Sequence, residues 1–330
     1  MQYTVRRYVQ LFFLVYILVL IFTTAKSEYI VCETMRANEK KGMLFIDPNT
    51  KEWKVVNSDA YLIYGTNDGS IYYAVQGNKP GNSVSIMNWR AGEKSAEIEK
   101  VELPHLETVW SYSKEAIYYV AMIPPQYAGD YDHFTVMRTD SKTFTPLYET
   151  NGANYPQMIN SEGKCLINGS LLEPGNDPIK IDKAMGNDYT TDSMRFSSSI
   201  WYNNDVLLLW GYRKPSSFLE GLVSTKEIVL LKYNTTTGDI SPFISAQGKE
   251  IVLGYSDACV KHGMALNMHK DKLACLITHN YGTGKDYSFR SFALDSEIVV
   301  IDLSTGLNTS IWRPDDTIWF ADSGVLMWQG

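Results

Sequence analysis

Histidine, cysteine and proline are scarce in this chain: 330 residues hold 5 His, 4 Cys and 12 Pro. No two of the histidines (His105, His133, His262, His269 and His279) sit at zinc spacing with a third ligand nearby, so no metal centre is expected. Basic side chains are also in deficit, 30 against 37 acidic for a net charge of -7, which argues against a nucleic-acid partner. A nucleophile elbow, a phosphate loop and a dinucleotide fingerprint are all missing, and Asp130 with Asp132 is too small a fragment for a cation loop. No cofactor is therefore expected, no residue qualifies as catalytic, and an enzyme reading has no linear motif behind it. Beyond residue 27 there is no convincing amphipathic helix either.

What the chain does have is an ordinary globular balance, 45% hydrophobic and 20% charged, with 22 Tyr and 8 Trp. Aromatic and β-branched residues fit pleated, half-buried surfaces, so β structure is the first expectation. Arg6 and Arg7 precede an uncharged apolar run from Tyr8 to Ala25, ended by Lys26. That order reads as a signal peptide, with Thr23 and Ala25 or Ala25 and Ser27 as the small residues before cleavage. At about 18 residues the run also fits an uncleaved anchor with its N-terminus inside, and both readings export the rest of the chain. Residues 1–27 are thus expected to be a signal peptide or N-terminal membrane anchor and residues 28–330 a secreted or extracytoplasmic domain. That domain carries 27 basic and 37 acidic side chains, a net charge of -10, and would touch membrane only through an uncleaved segment. Sequons stand at Asn168, Asn234 and Asn308. Of the four cysteines, Cys259 and Cys275 are nearest in sequence and form the expected disulfide, although Cys165 and Cys275 in KCLI and LACLI also read as small buried thiols.

A polar turn followed by an apolar strand recurs, with first strand residues Ile71, Ile117, Cys165, Val206, Leu273 and Val325, 41 to 67 residues apart. A second unit follows most copies, an apolar strand, a polar turn and another strand, as in GMLFIDPNTKEWKVV and EIVVIDLSTGLNTSIW. Asp or Asn closing a strand, then Thr and Gly, is hairpin chemistry, because these residues bond back to the backbone and tolerate left-handed conformation. Each period therefore offers four strands, A to D, and the fold expected is an all-β, six-bladed β-propeller of four-stranded antiparallel blades. Residues 42–56 supply C and D strands and residues 317–328 an A and a B, so strands from both termini close the ring. Tyr29 to Glu33 (YIVCE) competes with VLMW for the same B place, which keeps a seven-bladed alternative open.

The repeat resembles that of the TolB-like six-bladed propellers, a polar W-S-P-D-G-K turn leading into an apolar strand. Trp110, Ser111, Lys114 and the strand from Ile117 match in one copy, and Asp68, Gly69 and Ile71 in another, while the turn proline is missing throughout. The resemblance covers nearly all of the chain after residue 27. It implies a fold and a habit of binding proteins or ligands outside the cytoplasm; no catalytic residue carries over.

Several B-to-C connections are long: 122–132, 211–226 and 279–296. Long loops without structure of their own are more often functional than short ones. Their Tyr127, Tyr131, Arg213, Lys214, Tyr281, Lys285, Tyr287 and Arg290 give an acidic chain an aromatic and cationic face, suited to a protein, peptide or glycan partner of a monomeric propeller. The competing expectation is that these side chains pack their own loops onto the rim. Two other functions stay open: a hydrolase or lyase with its site in the central channel, and a membrane-tethered sensory or scaffold domain.

Overall fold

The computed structural model describes residues 28–36, 41–57, 60–62, 71–76, 83–89, 96–112, 116–123, 133–140, 143–151, 157–160, 162–167, 169–181, 188–190, 199–214, 227–253, 259–279, 295–315, 318–320 and 326–329. These residues form six antiparallel sheets that follow one another along the chain. The first contains β1 (Tyr29–Arg36), β2 (Lys41–Ile46) and β3 (Trp53–Asn57), and the second β4 (Ala60–Leu62), β5 (Ile71–Gln76), β6 (Ser83–Trp89) and β7 (Ala96–Glu102). The third is β8 (Leu106–Tyr112), β9 (Ile117–Ile123), β10 (His133–Thr139) and β11 (Phe144–Asn151); the fourth is β12 (Gln157–Ile159), β13 (Cys165–Ile167), β14 (Ser170–Leu172) and β15 (Ile179–Lys180). In the fifth, β16 (Tyr189–Thr190) and β17 (Ser199–Trp201) share one edge of β18 (Val206–Arg213). There β20 (Ile240–Pro242) and β21 (Val252–Leu253) share the far edge of β19 (Ile228–Asn234). The sixth is β22 (Cys259–Leu266), β23 (Lys272–Thr278), β24 (Ser296–Asp302) and β25 (Asn308–Trp312). Finally β26 (Ile318–Phe320) and β27 (Leu326–Gln329) return to the first sheet.

Side-chain alternation explains why the sheets form a ring. A strand sends successive side chains to opposite faces, and here both faces are covered. In the first sheet Val31, Met43 and Phe45 pack on Tyr73 and Trp89 of the second, whereas Ile30, Cys32, Leu44 and Ile46 pack on Ala274, Leu276 and Ile298 of the sixth. The same division recurs at every seam, giving one apolar cluster between each pair of consecutive sheets and between the last and the first. Middle strands such as β23 are consequently apolar and buried on both sides, while the outermost strand β7 (AEIEKVE) is largely exposed and carries charges that discourage edge pairing. The protein is an all-β propeller, closed by strands from both ends of the described chain.

The closure differs from the expected hairpin in one respect. β26 and β27 do not pair with each other; β26 lies against Thr34–Arg36 and β27 against Tyr29–Cys32, so together they make one interrupted A strand. β1 holds the B place and Leu326–Gln329 extends the A strand, because β1 has β2 on its other edge and bridges the termini. No strand among the described residues is left over for a seventh sheet.

The C-to-D turns show how the repeat is encoded. Asp47, Asn234 and Asp302 each accept two backbone N–H bonds through Oδ1, from residues two and three further on, at 2.8–3.1 Å. Four residues on, Lys51, Gly238 and Gly306 are left-handed, at φ 63°, 76° and 77°. Thr50, Thr237 and Thr305 complete the motif by accepting from the backbone two residues later, at 3.3 Å in each case. The wide spacing between Val206 and Leu273 has its own cause: the fifth sheet's outer edge folds back through a turn closed by the Ile244–Glu250 bridge.

Candidate functional site

The ring presents two faces. One carries the A-to-B and C-to-D turns, where several described polar groups bond within their own turn and others join neighbouring sheets. Lys164 of the fourth sheet's turn meets Glu162 (3.3 Å), Glu173 (3.4 Å) and Asp205 of the fifth sheet (3.8 Å). Asn204 donates to Glu162 Oε1 at 2.9 Å, and the Lys51 ammonium donates to the Ser310 carbonyl across the seam between first and sixth sheets. Nearby, Lys54 Nζ lies 5.3 Å from the Trp89 ring centroid and 5.8 Å from those of Tyr29 and Phe45.

The opposite face carries the B-to-C and D-to-A connections. Tyr127 and Tyr131 in 124–132, and Tyr281, Lys285, Tyr287 and Arg290 in 280–294, lie outside the described residues, as does Asn168. Arg213 and Lys214 are described, at the end of β18, and both are exposed. Arg213 Nε donates to Glu227 Oε2 at 2.8 Å, its Nη2 also bonds Glu250, and the guanidinium carbon is 5.9 Å from the Tyr189 ring centroid. The hydrogen bond to Glu227 comes first among the causes that hold the Arg213 guanidinium above its ordinary pKa. Arg213 precedes segment 215–226 and Glu227 follows it, so this ion pair ties the two ends of that connection together. Lys214 is anchored through its backbone N–H to the Asp188 carbonyl at 2.9 Å.

The sixth sheet repeats the device around a carboxylate. His279 follows β23, Glu297 is the second residue of β24 and Arg313 follows β25, so the antiparallel register gathers all three at one end of the sheet. Glu297 Oε1 meets His279 Nε2 at 2.6 Å, and Oε2 accepts from Arg313 Nε at 3.0 Å. The Glu297 side chain is 1% exposed and that of Arg313 69%. Burial alone would push the Glu297 carboxyl up; hydrogen bonds from Ser310, His279 and Arg313, with the charge of Arg313, overcome it and hold the group below its ordinary value. Beside it, Thr278 Oγ1 and Ser296 Oγ are 2.8 Å apart in the buried end of the strand pair. His279 and Glu297 flank segment 280–294 as Arg213 and Glu227 flank 215–226. Glu297 and Arg313 carry no linear motif, although an acidic residue inside the buried run EIVVI is a signal that a partner is needed.

The expected Cys259–Cys275 disulfide is corrected by the structure, in which Cys275 is a free, fully buried thiol. The register places Cys275 opposite Met264 and Cys259 opposite Thr278, with an irregularity between Val260 and Met264. Burial pushes the Cys275 thiol up, and Cys165 is likewise free and buried. Of the sequons, Asn234 spends its Oδ1 on the turn described above, while Asn308 is exposed at the start of β25.

No family model matches the chain, and no curated protein does. Among solved structures it is similar to the β-propeller domain of the Trilobed protease from Pyrococcus furiosus, with a TM-score of 0.44 and 11% identity, over 85% of this chain and 78% of that one. It is also similar to the acylaminoacyl peptidase of Pyrococcus horikoshii (TM-score 0.43, 8% identity, 87% of this chain) and spans about half of that enzyme, 51%. A puromycin hydrolase gives a TM-score of 0.39 at 9% identity, over 86% of this chain and 46% of that one.

Proposed function

We propose that the chain is an exported propeller, TolB-like in its repeat, which recognises a protein, peptide or glycan on its B-to-C face without catalysis. One observation carries this reading: two long connections on that face, 215–226 and 280–294, are each held at both ends, the first by the ion pair Arg213–Glu227 and the second by the hydrogen-bonded pair His279–Glu297. Tying the ends of a long connection lowers the entropy of placing it and so favours a defined binding surface. The turn face is a poorer candidate, since Lys164, Asp205 and Lys51 are engaged between sheets there and Asp47 and Asp302 within their own turns. Export rests on Arg6, Arg7 and the apolar run behind them.

The test is selection of a random twelve-residue peptide library and a glycan array on the full-length chain, repeated with 215–226 and 280–294 each replaced by Gly-Ser of equal length. The expected outcome is saturable binding that falls about tenfold or more with either replacement, while changes at Lys164 and Asn204 leave it within about threefold. Equal losses from both faces, or ligands indifferent to the two replacements, would contradict the reading.

A further inference from the structure

We propose that Arg313 is an anion-receiving residue of this face, taking a single carboxylate of a peptide partner, an Asp or Glu side chain or a free chain end, in its outward guanidinium edge. This rests on the binding role proposed for that face. Arg313 is held from one side only: Nε is bound to Glu297 Oε2, and no other described residue meets the guanidinium. With Nε turned inward, the end-on pair Nη1 and Nη2 is the edge left toward solvent, consistent with a side chain 69% exposed.

Glu297 makes this more than a surface arginine. Its carboxylate is buried and occupied on its other oxygen by His279, so it cannot swing to follow Arg313. The guanidinium plane is therefore set before a ligand arrives, which removes part of the ordering cost of a bidentate bond. Arg213 is the internal contrast: with Nε on Glu227 and Nη2 on Glu250, it has both positions taken.

The charge sum around Arg313 selects the ligand. Glu297 already neutralises the guanidinium and the whole chain is acidic at -7, so a polyanion gains little Coulomb energy here and is repelled at long range. What remains is directional: two parallel N–H donors that match one planar carboxylate.

The experiment uses peptides enriched from the random twelve-residue library on the full-length chain. They are expected to share an Asp, Glu or chain-terminal carboxylate at a fixed position, to weaken about tenfold or more when it is changed to an amide, and to weaken as much against Arg313→Lys, which keeps the charge and loses the fork. The two changes combined should cost no more than either alone. Should Arg313→Lys misfold, the peptide-side change to an amide carries the test. Enriched peptides without a fixed carboxylate, an Arg313→Lys affinity within about threefold of the parent, or displacement by a sulfated oligosaccharide at lower concentration than by N-acetylaspartate α-methylamide, which carries one carboxylate, would overturn the assignment. If the loop replacements abolish binding and Arg313→Lys does not, the binding face stands and the Arg313 assignment falls; if neither affects it, both fall.

Discussion

The two charged clusters on the B-to-C face are inverses of each other. In the fifth sheet a cation, Arg213, lies between two carboxylates, and all three are open to water. In the sixth sheet a carboxylate, Glu297, lies between a histidine and an arginine, and the central group is buried. The contacts look alike, yet solvent screens the first and desolvation makes the second obligatory: once Glu297 is inside, losing its partners leaves a buried charge with nothing to balance it. The first cluster tunes a connection, whereas the second belongs to the sheet.

The largest expected effect comes from deleting the buried centre. Glu297→Ala should lower unfolding stability by about 3 kcal/mol in denaturant titration, since it removes two hydrogen bonds to a buried carboxylate and leaves a cavity at the end of β24. A loss under about 1 kcal/mol would put this cluster in the same class as the first. His279→Ala should cost less, about 1.5 kcal/mol, because Arg313 still holds the carboxylate through Oε2.

Acid should separate the clusters as well. The Glu297 carboxyl lies below its ordinary value in the folded chain, so its stabilisation is present above the unfolded pKa of about 4.3 and is lost as pH falls through the lower folded value. Melting temperature should therefore drop more steeply between about pH 5 and 3 for the parent than for Glu297→Gln, and parallel curves would contradict the sign. The smallest effect belongs to Arg213→Ala: a change within about 1 kcal/mol, with faster hydrogen exchange confined to 214–227.

Much of the ring was legible because its turns are written in residue types. Asp47, Asn234 and Asp302 each stand four residues before a left-handed position and three before a threonine, and that local chemistry alone marks the C-to-D hairpins. Features set by pairing between distant strands were not legible in the same way. In the sequence VLMW follows a polar turn as every B strand does, and only the presence of β1 across from Leu326–Gln329 shows that these residues prolong an A strand. Cys259 and Cys275 are close in sequence and lie on neighbouring strands, but the irregularity after Val260 sets them at different register positions. The candidate site divides similarly. The lengths of the connections could be read directly, while the His279, Glu297 and Arg313 cluster exists only once β23, β24 and β25 are in register.

The most direct measurement of the account is hydrogen exchange on the full-length chain with and without a saturating selected peptide. Binding through the B-to-C face predicts slowed exchange in 214–227, 279–297 and 313–315, with the A-to-B turns at 160–164, 202–205 and 267–271 unchanged. Protection centred on those turns, with the long connections unaffected, would contradict it.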